Sequence, residues 1–394
     1  MRSYLGKLAW IFERKYLTIN GVLMFSRVVI SGDILRVFHM GDKVESATWK
    51  NIRWLREILS PALRQNDFQV STLSWDENLY LLGDIYFDTP ALYETLSLPL
   101  NINSWAELSV QKHAPDALID MLRDYVHDAL IVGYEMPDVL LDAFRQLNRP
   151  FVDIILHPYR FLPDLVFSFR SNISDFYKTF ERYHLSQNEV EVRASEILAK
   201  SAWMKKPFDI PPGSIILLDQ VQGDRALIKE DGNFASFNEC LERLHQLCFE
   251  HPKVFFKPHP YNLTSDSKYN LIKVLPVIVE TNVNFYHLLS QPEIEGAIAL
   301  NSSGLYESKV FGKRGDNLIP YLYDYNSKEL PVDCKVGYPV PLNSLWTTSN
   351  FWSQLINENN NSFNGEISNV WFPNRLRRTM NADWGYGFIN QLVV

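Results

Sequence analysis

Short runs rich in β-branched and aromatic residues alternate along this chain with segments of helical periodicity, and this alternation restricts the fold more than any other feature. Residues 79–87, 129–134 and 151–156 are such runs in the first half, and residues 214–218 and 296–300 follow in the second. Alternating β and α segments are typical of a mostly parallel sheet covered by helices on both faces. The sequence therefore predicts an α/β protein.

The length of 394 residues exceeds what one hydrophobic core usually supports, so two domains are expected. Helical periodicity over residues 186–204 is broken by prolines between residues 205 and 213. We place the domain boundary there, with an N-terminal domain at 1–206 and a C-terminal domain at 207–345. Residues 346–394 are predicted to form a helical segment that packs back on the first domain.

The formal net charge of -8 and the pI near 5.6 argue against a nucleic-acid partner, because phosphate contacts require clustered Lys and Arg. The run Arg375, Leu376, Arg377, Arg378 is the main basic cluster. It is expected to be a solvent-exposed helix face, and contact with acidic lipid or an anionic substrate is the alternative.

Cysteine usage predicts a reducing compartment, because Cys240, Cys248 and Cys334 form neither an even set nor a metal-type spacing. The early apolar residues are interrupted by charges and do not form a signal peptide. Residues 21–37 are too short and too charged to span a bilayer. We expect a cytoplasmic protein whose membrane contact is at most peripheral.

The first motif with chemical content is Lys257-Pro258-His259-Pro260, which follows a predicted strand at 254–256. A cation and an imidazole on a proline-fixed turn suit phosphate binding. The alternative is that the prolines only end a strand and His259 fills a polar gap.

The second motif, Asn301-Ser302-Ser303-Gly304, lies between a predicted strand and a predicted helix. Free N–H groups and hydroxyls at a helix start suit a phosphate, although a serine there can equally be a plain N-cap. Glu307, one turn further, is a candidate to bind ribose hydroxyls.

The third motif is the loop Gln220-Val221-Gln222-Gly223-Asp224 after the strand that ends at Leu218. An Asp on a glycine-containing loop above a strand end can serve as a nucleophile. A surface Asx-type turn is the competing interpretation.

The fourth motif, His157-Pro158-Tyr159-Arg160, follows the strand 151–156. His157 and Arg160 are expected at a cleft mouth in the first domain, where the planar fork of Arg160 could bind a carboxylate bidentately. An i,i+4 ion pair with Asp164 is the competing interpretation.

The fifth motif places Glu135 directly after a buried strand, in Gly133-Tyr134-Glu135-Met136-Pro137. Burial that raises its pKa would suit a general base for an acceptor hydroxyl. A glutamate at the start of the following helix is the alternative.

These motifs together resemble the bacterial retaining β-Kdo transferases, both the capsule-initiating KpsC type and the O-antigen-capping WbbB type. Their order and approximate spacing match over about half of the chain. The matching segments are residues 133–137, 157–164, 169–172, 220–224, 257–260 and 302–304.

The resemblance implies a GT-B-like architecture, in which two Rossmann-type domains face a central cleft. The N-terminal domain is then on the acceptor side, and the C-terminal domain holds most of CMP-β-Kdo. It assigns the nucleophile to Asp224 and phosphate contacts to His259, Ser302 and Ser303. Retention by double displacement needs such a carboxylate. CMP leaves as a monophosphate, so neither a metal nor a cofactor is expected.

The resemblance thus predicts a transferase that moves Kdo from CMP-Kdo to a glycan acceptor, free or lipid-linked, with O-antigen capping favoured. Any membrane contact is then expected at the inner face of the inner membrane. A CMP-sialic acid or CDP-glycerol type transferase and a non-catalytic glycan-binding module are the alternatives. The catalytic candidates are Asp224, Glu135 and His157. The donor-binding candidates are Gln220, Lys257, His259, Asn301, Ser302, Ser303, Gly304, Glu307 and Arg160.

Overall fold

The structure is a computed structural model that describes residues 18–19, 22–23, 25, 27–40, 43–76, 84–259, 277–332, 335–356 and 372–382. Its strands are β1 (Thr18–Ile19), β2 (Val22–Leu23), β3 (Arg27–Gly32), β4 (Val37–Met40), β5 (Lys43–Ser46), β6 (Gln69–Ser74), β7 (Ile85–Tyr86), β8 (Ala129–Tyr134), β9 (Phe151–Leu156), β10 (Phe167–Ser171), β11 (Ser214–Leu218), β12 (Val254–Lys257), β13 (Ile278–Glu280), β14 (Ile294–Ala299), β15 (Arg314–Asn317) and β16 (Val340–Leu342).

The helices in the same residues are α1 (Trp49–Arg64), α2 (Thr89–Thr95), α3 (Ile102–Ser109), α4 (Asp116–Arg123), α5 (Asp138–Gln146), α6 (Phe176–Arg182), α7 (Gln187–Ser201), α8 (Leu241–Glu250), α9 (Phe285–Leu289), α10 (Gly304–Val310), α11 (Ser349–Ile356) and α12 (Arg375–Met380). Short 3-10 helices occupy Arg225–Leu227, Phe237–Cys240 and Ser344–Thr347. Within the described ranges, no helix is both long enough and apolar enough to cross a membrane.

The chain divides into two compact units that are not consecutive halves. Unit 1 consists of Met1–Ile155, Phe167–His184 and Tyr325–Val370, and unit 2 consists of Leu156–Val166, Leu185–Asp324 and Trp371–Val394. The predicted boundary at residues 206 and 207 therefore lies inside unit 2. Helix α7 places Val190 and Ile197 in the same core as Ile216 of β11, so the residues before the proline-rich break pack with those after it.

Unit 1 is built on a sheet with the strand order β16-β10-β9-β8-β3-β6-β7 in the described residues. The pairs β9–β8, β8–β3, β3–β6 and β6–β7 are parallel, and β16 pairs with β10 antiparallel. Every residue of β8 is buried, as expected for a parallel strand that is covered on both faces.

Unit 2 is built on a parallel sheet with the order β13-β12-β11-β14-β15. Strand β11 lies at its centre and is fully buried. Helix α10 packs closely on this strand, because a Cβ atom at Gly304 would lie 2.7 Å from a methyl carbon of Leu218. The lack of a side chain at Gly304 therefore sets how near the helix start comes to the central strand.

Both sheets confirm the prediction of an α/β fold with parallel strands, and β8, β9 and β11 have the predicted bounds. In each unit the chain lays down a first strand, adds two parallel strands on one side of it and then two on the other, and in unit 1 the strands β10 and β16 extend the sheet beyond β9. The strand order therefore reverses between β3 and β8 in unit 1 and between β11 and β14 in unit 2. Such a switch point opens a crevice at the carboxyl ends of the strands, where ligands bind in open α/β sheets.

Some predicted features lie outside the described residues. These are residues 79–83 of the first predicted strand, residues 272–276 of a strand that the sequence predicts at 272–279, Pro260, Cys334, residues 357–371 and residues 383–394. Of the predicted C-terminal segment, helix α11 belongs to unit 1 and helix α12 to unit 2.

Candidate functional site

Two predicted loops meet at the switch point of unit 2. The side-chain amide of Gln220, after β11, donates to the carbonyl oxygen of Asn301 (2.8 Å), after β14. The side-chain oxygen of Gln220 accepts the backbone N–H of Asn301 (2.6 Å). This reciprocal pair joins the two loops at the switch point. Both residues were predicted to contact the donor, and here they hold the loops together.

Asn301 ties down two further segments. Its side-chain amide donates to the carbonyl oxygens of Ala226 and Pro320, each at 3.0 Å. The side chain is buried, so the amide is satisfied by protein carbonyls, as a buried donor requires. Asn301 thus fixes the start of the Ser302-Ser303 turn relative to the loop that carries Asp224.

The Lys257-His259 turn joins the same site through Asp219, a residue that the sequence motifs did not include. The backbone N–H of Asp219 donates to the carbonyl oxygen of Lys257 (3.0 Å), and its carboxylate accepts the N–H of His259 (3.2 Å). The carboxylate also accepts the N–H of Gln220 (2.9 Å). The sequence signal that could have identified Asp219 is its position directly after the central strand β11.

The electrostatics of the turn suit an anion. Burial lowers the pKa of the Lys257 ammonium from its usual value. Burial also lowers the pKa of His259, while the negative charges of Asp219 and Asp224 act in the opposite direction. An anionic ligand would compensate the desolvation of both side chains, because a nearby opposite charge favours the charged form.

Asp224 lies on an exposed loop of the same unit. Its carboxylate oxygen Oδ1 accepts the N–H of Ala226 (3.1 Å), as in an Asx-type turn, and Asp224 caps the 3-10 helix Arg225–Leu227. Gly223 before it has φ +82°, a left-handed conformation that favours glycine. The turn interpretation is therefore correct for the backbone, and it fixes a carboxylate at the surface, while the nucleophilic role stays a prediction.

The two serines of the Ser302-Ser303-Gly304 turn behave differently. Ser303 is the N-cap residue of helix α10, yet its side chain makes no capping hydrogen bond. Ser302 instead accepts the N–H of Gly304 at a long 3.3 Å. Neither hydroxyl forms the usual N-cap bond to the second or third helical N–H. The phosphate contact predicted for both serines is not replaced by conventional capping.

His157 is buried in unit 2 and does not lie at an open mouth. Its backbone N–H donates to the carbonyl oxygen of Val166 (2.9 Å), and its ring meets that of Tyr159 edge-on at 4.5 Å. Arg160, which is half-buried, donates from its guanidinium to the carbonyl oxygen of His157. The sequence placed both residues in the first domain, whereas their segment packs with unit 2.

The competing interpretation of Arg160, an ion pair with Asp164, is wrong. The Asp164 carboxylate is buried and accepts three backbone N–H groups, from Leu165 (2.8 Å), Leu376 (2.8 Å) and Arg377 (2.9 Å). It caps the first turn of helix α12, which satisfies the carboxylate with donors that the unpaired helix start supplies.

Glu307 is buried and turned toward the segment that carries Arg160. One carboxylate oxygen accepts the backbone N–H of Arg160 (2.6 Å) and the hydroxyl of Tyr286 (2.9 Å). Burial raises the pKa of Glu307 to about 7, against the hydrogen bonds and the positive charge of Arg160. These contacts give Glu307 a structural task, and the ribose contact stays a prediction.

The basic run Arg375–Arg378 is not a uniformly solvated helix face. Arg377 is buried, and its guanidinium donates to the carbonyl oxygens of Arg160 (3.0 Å) and Leu162 (3.2 Å). Arg378, the next residue, is exposed as expected. The sequence pattern missed Arg377 because its partners lie more than 200 positions away.

In unit 1, Glu135 stands at the switch point between β3 and β8. It has φ +46°, a left-handed conformation that is unfavourable for a residue with a side chain. The turn is held by Asp153, which accepts the N–H of Met136 (2.9 Å) and pairs with Arg170 (2.8 Å). Helix α5 begins at Asp138, so Glu135 lies outside its first turn, and the helix-start interpretation is wrong.

Among the described residues, no group of three or more His, Cys, Asp or Glu side chains is placed to hold a metal ion. The site in unit 2 combines cationic, hydroxyl and carboxylate side chains on three neighbouring strand ends. Such a set can bind a phosphate ester and present a carboxylate to it.

No family model and no curated protein sequence matches this chain. Solved structures similar to it include two of KpsC from Thermosulfurimonas dismutans. The beta Kdo 2,7 transferase is 13% identical over 51% of this chain and 68% of that chain, with a TM-score of 0.31. The beta Kdo 2,4 transferase is 15% identical over 47% and 67%, also with a TM-score of 0.31. A dipicolinate synthase from Bacillus halodurans is 10% identical over 73% and 80%, with a TM-score of 0.18.

Proposed function

We propose that this chain is a retaining β-Kdo glycosyltransferase that moves Kdo from CMP-β-Kdo to a glycan acceptor, with capping of a lipopolysaccharide O-antigen chain as the favoured reaction. In this function the chain has the GT-B-like architecture that its resemblance to the β-Kdo transferases implies, and its side chains handle the donor without a metal.

The observation that carries this proposal is the convergence of three motifs at one switch point. The loops that contain Asp224, His259 and Ser303 follow β11, β12 and β14, which are adjacent in the sheet. They are joined by the bonds of Gln220 to Asn301 and of Asp219 to His259. An anion-binding turn and an exposed carboxylate on one sheet edge are what a nucleotide-sugar transferase of this kind needs.

In the proposed first step, a carboxylate oxygen of Asp224 forms a bond to the anomeric carbon of Kdo. The bond between that carbon and the phosphate oxygen breaks, and CMP leaves with the electron pair. Lys257 and His259 stabilise the charge that develops on the phosphate, with Ser302 and Ser303 as hydrogen-bond donors. The product is a Kdo ester of Asp224 with inverted configuration.

In the second step, an acceptor hydroxyl attacks the same carbon from the face that CMP left and releases the Asp224 carboxylate. The two inversions give net retention. The hydroxyl proton passes to a general base, for which Glu135 is the candidate. Arg160 is assigned to the carboxylate of Kdo, because a planar fork matches that group.

The test is incubation of the purified protein with CMP-β-Kdo, generated in place, and separately with CMP-sialic acid and CDP-glycerol. The expected result is release of CMP from CMP-β-Kdo alone, together with a protein adduct of one Kdo when no acceptor is present. Peptide mapping should locate the adduct on the peptide that contains Asp224. NMR of a product formed with defined glycan acceptors should show a β linkage.

Each alternative has its own outcome. Consumption of CMP-sialic acid or CDP-glycerol but not of CMP-β-Kdo would assign the chain to another cytidine-nucleotide transferase. Failure to bind CMP in calorimetry, with binding of glycans retained, would identify a glycan-binding module.

A further inference from the structure

The segment 157–165, here called the His-Pro loop, contains Arg160. The backbone N–H of Arg160 donates to the carboxylate of Glu307 (2.6 Å), and its carbonyl oxygen accepts from the guanidinium of Arg377 (3.0 Å). Glu307 is 2% exposed and Arg377 is 3% exposed. Two buried charged side chains thus bond the two peptide groups that flank one Cα atom.

The two side chains come from different elements of unit 2. Glu307 lies on helix α10, four residues after Ser303, and the hydroxyl of Tyr286 donates to the same carboxylate oxygen (2.9 Å). Arg377 lies on helix α12 and also donates to the carbonyl oxygen of Leu162 (3.2 Å). Arg160 is therefore held between the helix that follows the serine turn and the helix near the C-terminus.

Helix α12 is itself fixed to the His-Pro loop. The Asp164 carboxylate accepts the N–H groups of Leu376 (2.8 Å) and Arg377 (2.9 Å), and the N–H of Asn374 donates to the carbonyl oxygen of Pro163 (3.0 Å). The loop thus accepts hydrogen bonds from the helix in two ways. The Asp164 carboxylate accepts from the N–H groups of the helix start, and the loop carbonyl groups accept from the guanidinium of Arg377. A movement of the helix would displace Arg160.

We propose that Glu307 and Arg377 are positioning residues that fix the backbone of Arg160 so that its guanidinium meets the carboxylate of the sugar donor. This inference rests on the proposed function, in which Arg160 binds that carboxylate. A bidentate contact depends on the exact placement of the fork, and small displacements of a binding group reduce turnover strongly. Helix α12 then belongs to the donor site although it carries no motif.

The first test compares Arg377→Met with Arg378→Met, its exposed neighbour on the same helix. Arg377→Met should raise the KM for CMP-β-Kdo by about 10-fold or more. The affinity for CMP, which has no carboxylate, should stay within error. Arg378→Met should leave both quantities unchanged. A parallel loss of CMP affinity in Arg377→Met would overturn the proposal, because it would indicate general damage to the site.

A double-mutant cycle with Arg160→Lys tests whether Arg377 acts through Arg160. Arg160→Lys should raise the donor KM, and adding Arg377→Met should then raise it little further, since the geometry that Arg377 protects is already lost. Additive effects of the two changes would contradict the proposal. Arg377→Lys, which keeps the charge but loses the fork, is the fallback if Arg377→Met does not fold.

Hydrogen exchange tests, without any substrate, whether Glu307 and Arg377 hold the His-Pro loop in place. Amides of the His-Pro loop should exchange faster in Arg377→Met and, more weakly, in Glu307→Gln, which keeps an acceptor oxygen. They should exchange as in the wild type in Arg378→Met. Unchanged exchange in Arg377→Met would show that Arg377 does not hold the loop, whatever the donor is. If wild type neither binds CMP nor uses CMP-β-Kdo, the proposed function fails while this readout still decides whether Arg160 is held as inferred.

Discussion

The two units share the order of their five parallel strands but differ in the residues that lie where that order reverses. At the switch point of unit 2, Gln220 and Asn301 bond each other and leave the loops of Asp224, His259 and Ser303 around the crevice. At the switch point of unit 1, the Asp33 carboxylate is buried and accepts the indole N–H of Trp105 (2.9 Å). Topology alone therefore selects the place of a site, and the residues at the strand ends decide its chemistry.

Backbone conformation sharpens this contrast. In unit 2 the loop that presents Asp224 uses a glycine, Gly223, at its left-handed position. In unit 1 the left-handed position is Glu135 itself, held by the Asp153–Arg170 pair. A strained non-glycine residue at a strand end persists only when its surroundings enforce it. Under the proposed function, unit 2 carries the donor chemistry and unit 1 contributes the carboxylate of Glu135.

The largest expected effect is that of Asp224→Asn on transfer. The amide keeps the oxygen that accepts from Ala226 but is a far poorer nucleophile, so turnover should fall by about 10³-fold or more while CMP still binds. Steady-state kinetics with calorimetry of CMP binding measures both quantities. Asp231→Asn is the matched control, because Asp231 is exposed and also accepts a loop N–H, from Asn233 (2.9 Å).

Two outcomes would reverse the assignment of the two units. One is substantial retaining transfer by Asp224→Asn. The other is a Kdo adduct that peptide mapping places on Glu135 in unit 1 and not on Asp224 in unit 2.

A smaller effect is expected for His259→Gln, which should weaken CMP binding by about 2 kcal/mol, the typical value of a hydrogen bond to a charged group. Burial lowers the pKa of His259 in the free protein, and a bound phosphate should raise it. Binding therefore takes up a proton, and wild-type affinity should fall as pH rises above the free-state pKa, until the pKa of the complex is passed. His259→Gln should lose this part of the pH dependence in calorimetry, whereas an identical pH profile in both proteins would remove His259 from the phosphate.

The sequence predicted the central strands well because β8, β9 and β11 are continuous apolar runs bounded by turn residues, which is what full burial in a parallel sheet requires. It also found the motifs on the three strand ends of unit 2. Their convergence could be expected, since carboxyl ends of parallel strands meet at one edge.

What the sequence could not give is which distant segments share a core. The proline-rich break near residue 207 resembles a domain linker, yet helix α7 before it packs into the core of unit 2. From the sequence, Arg377 is expected to be a solvent-exposed charge. In the structure its guanidinium donates to the carbonyl groups of Arg160 and Leu162. Both errors concern contacts between residues far apart in the chain, for which local periodicity holds no information.

Ser303→Ala and Ser302→Ala should separate the two hydroxyls of the serine turn. If both bond phosphate oxygens, each change should cost about 1 kcal/mol in donor binding. Thermal stability should hardly change in Ser303→Ala, because its hydroxyl makes no capping bond. Loss of stability with unchanged CMP affinity would return the serines to a structural role and leave His259 and Lys257 as the phosphate contacts.

The strained turn of unit 1 is expected to show a small difference in stability between two variants of Glu135. Glycine adopts the left-handed conformation of Glu135 without the steric cost borne by other residues, so Glu135→Gly should be more stable than Glu135→Ala by about 1 kcal/mol. Urea unfolding of the two variants measures this difference, and comparison with Ala cancels the loss of the carboxylate. Both variants should lose transfer to the acceptor while they still form the Kdo adduct, because the proposed base acts only in the second step. Equal stability of the two variants would mean that the turn relaxes in solution. Full transfer by both variants would show that Glu135 takes no part in the reaction.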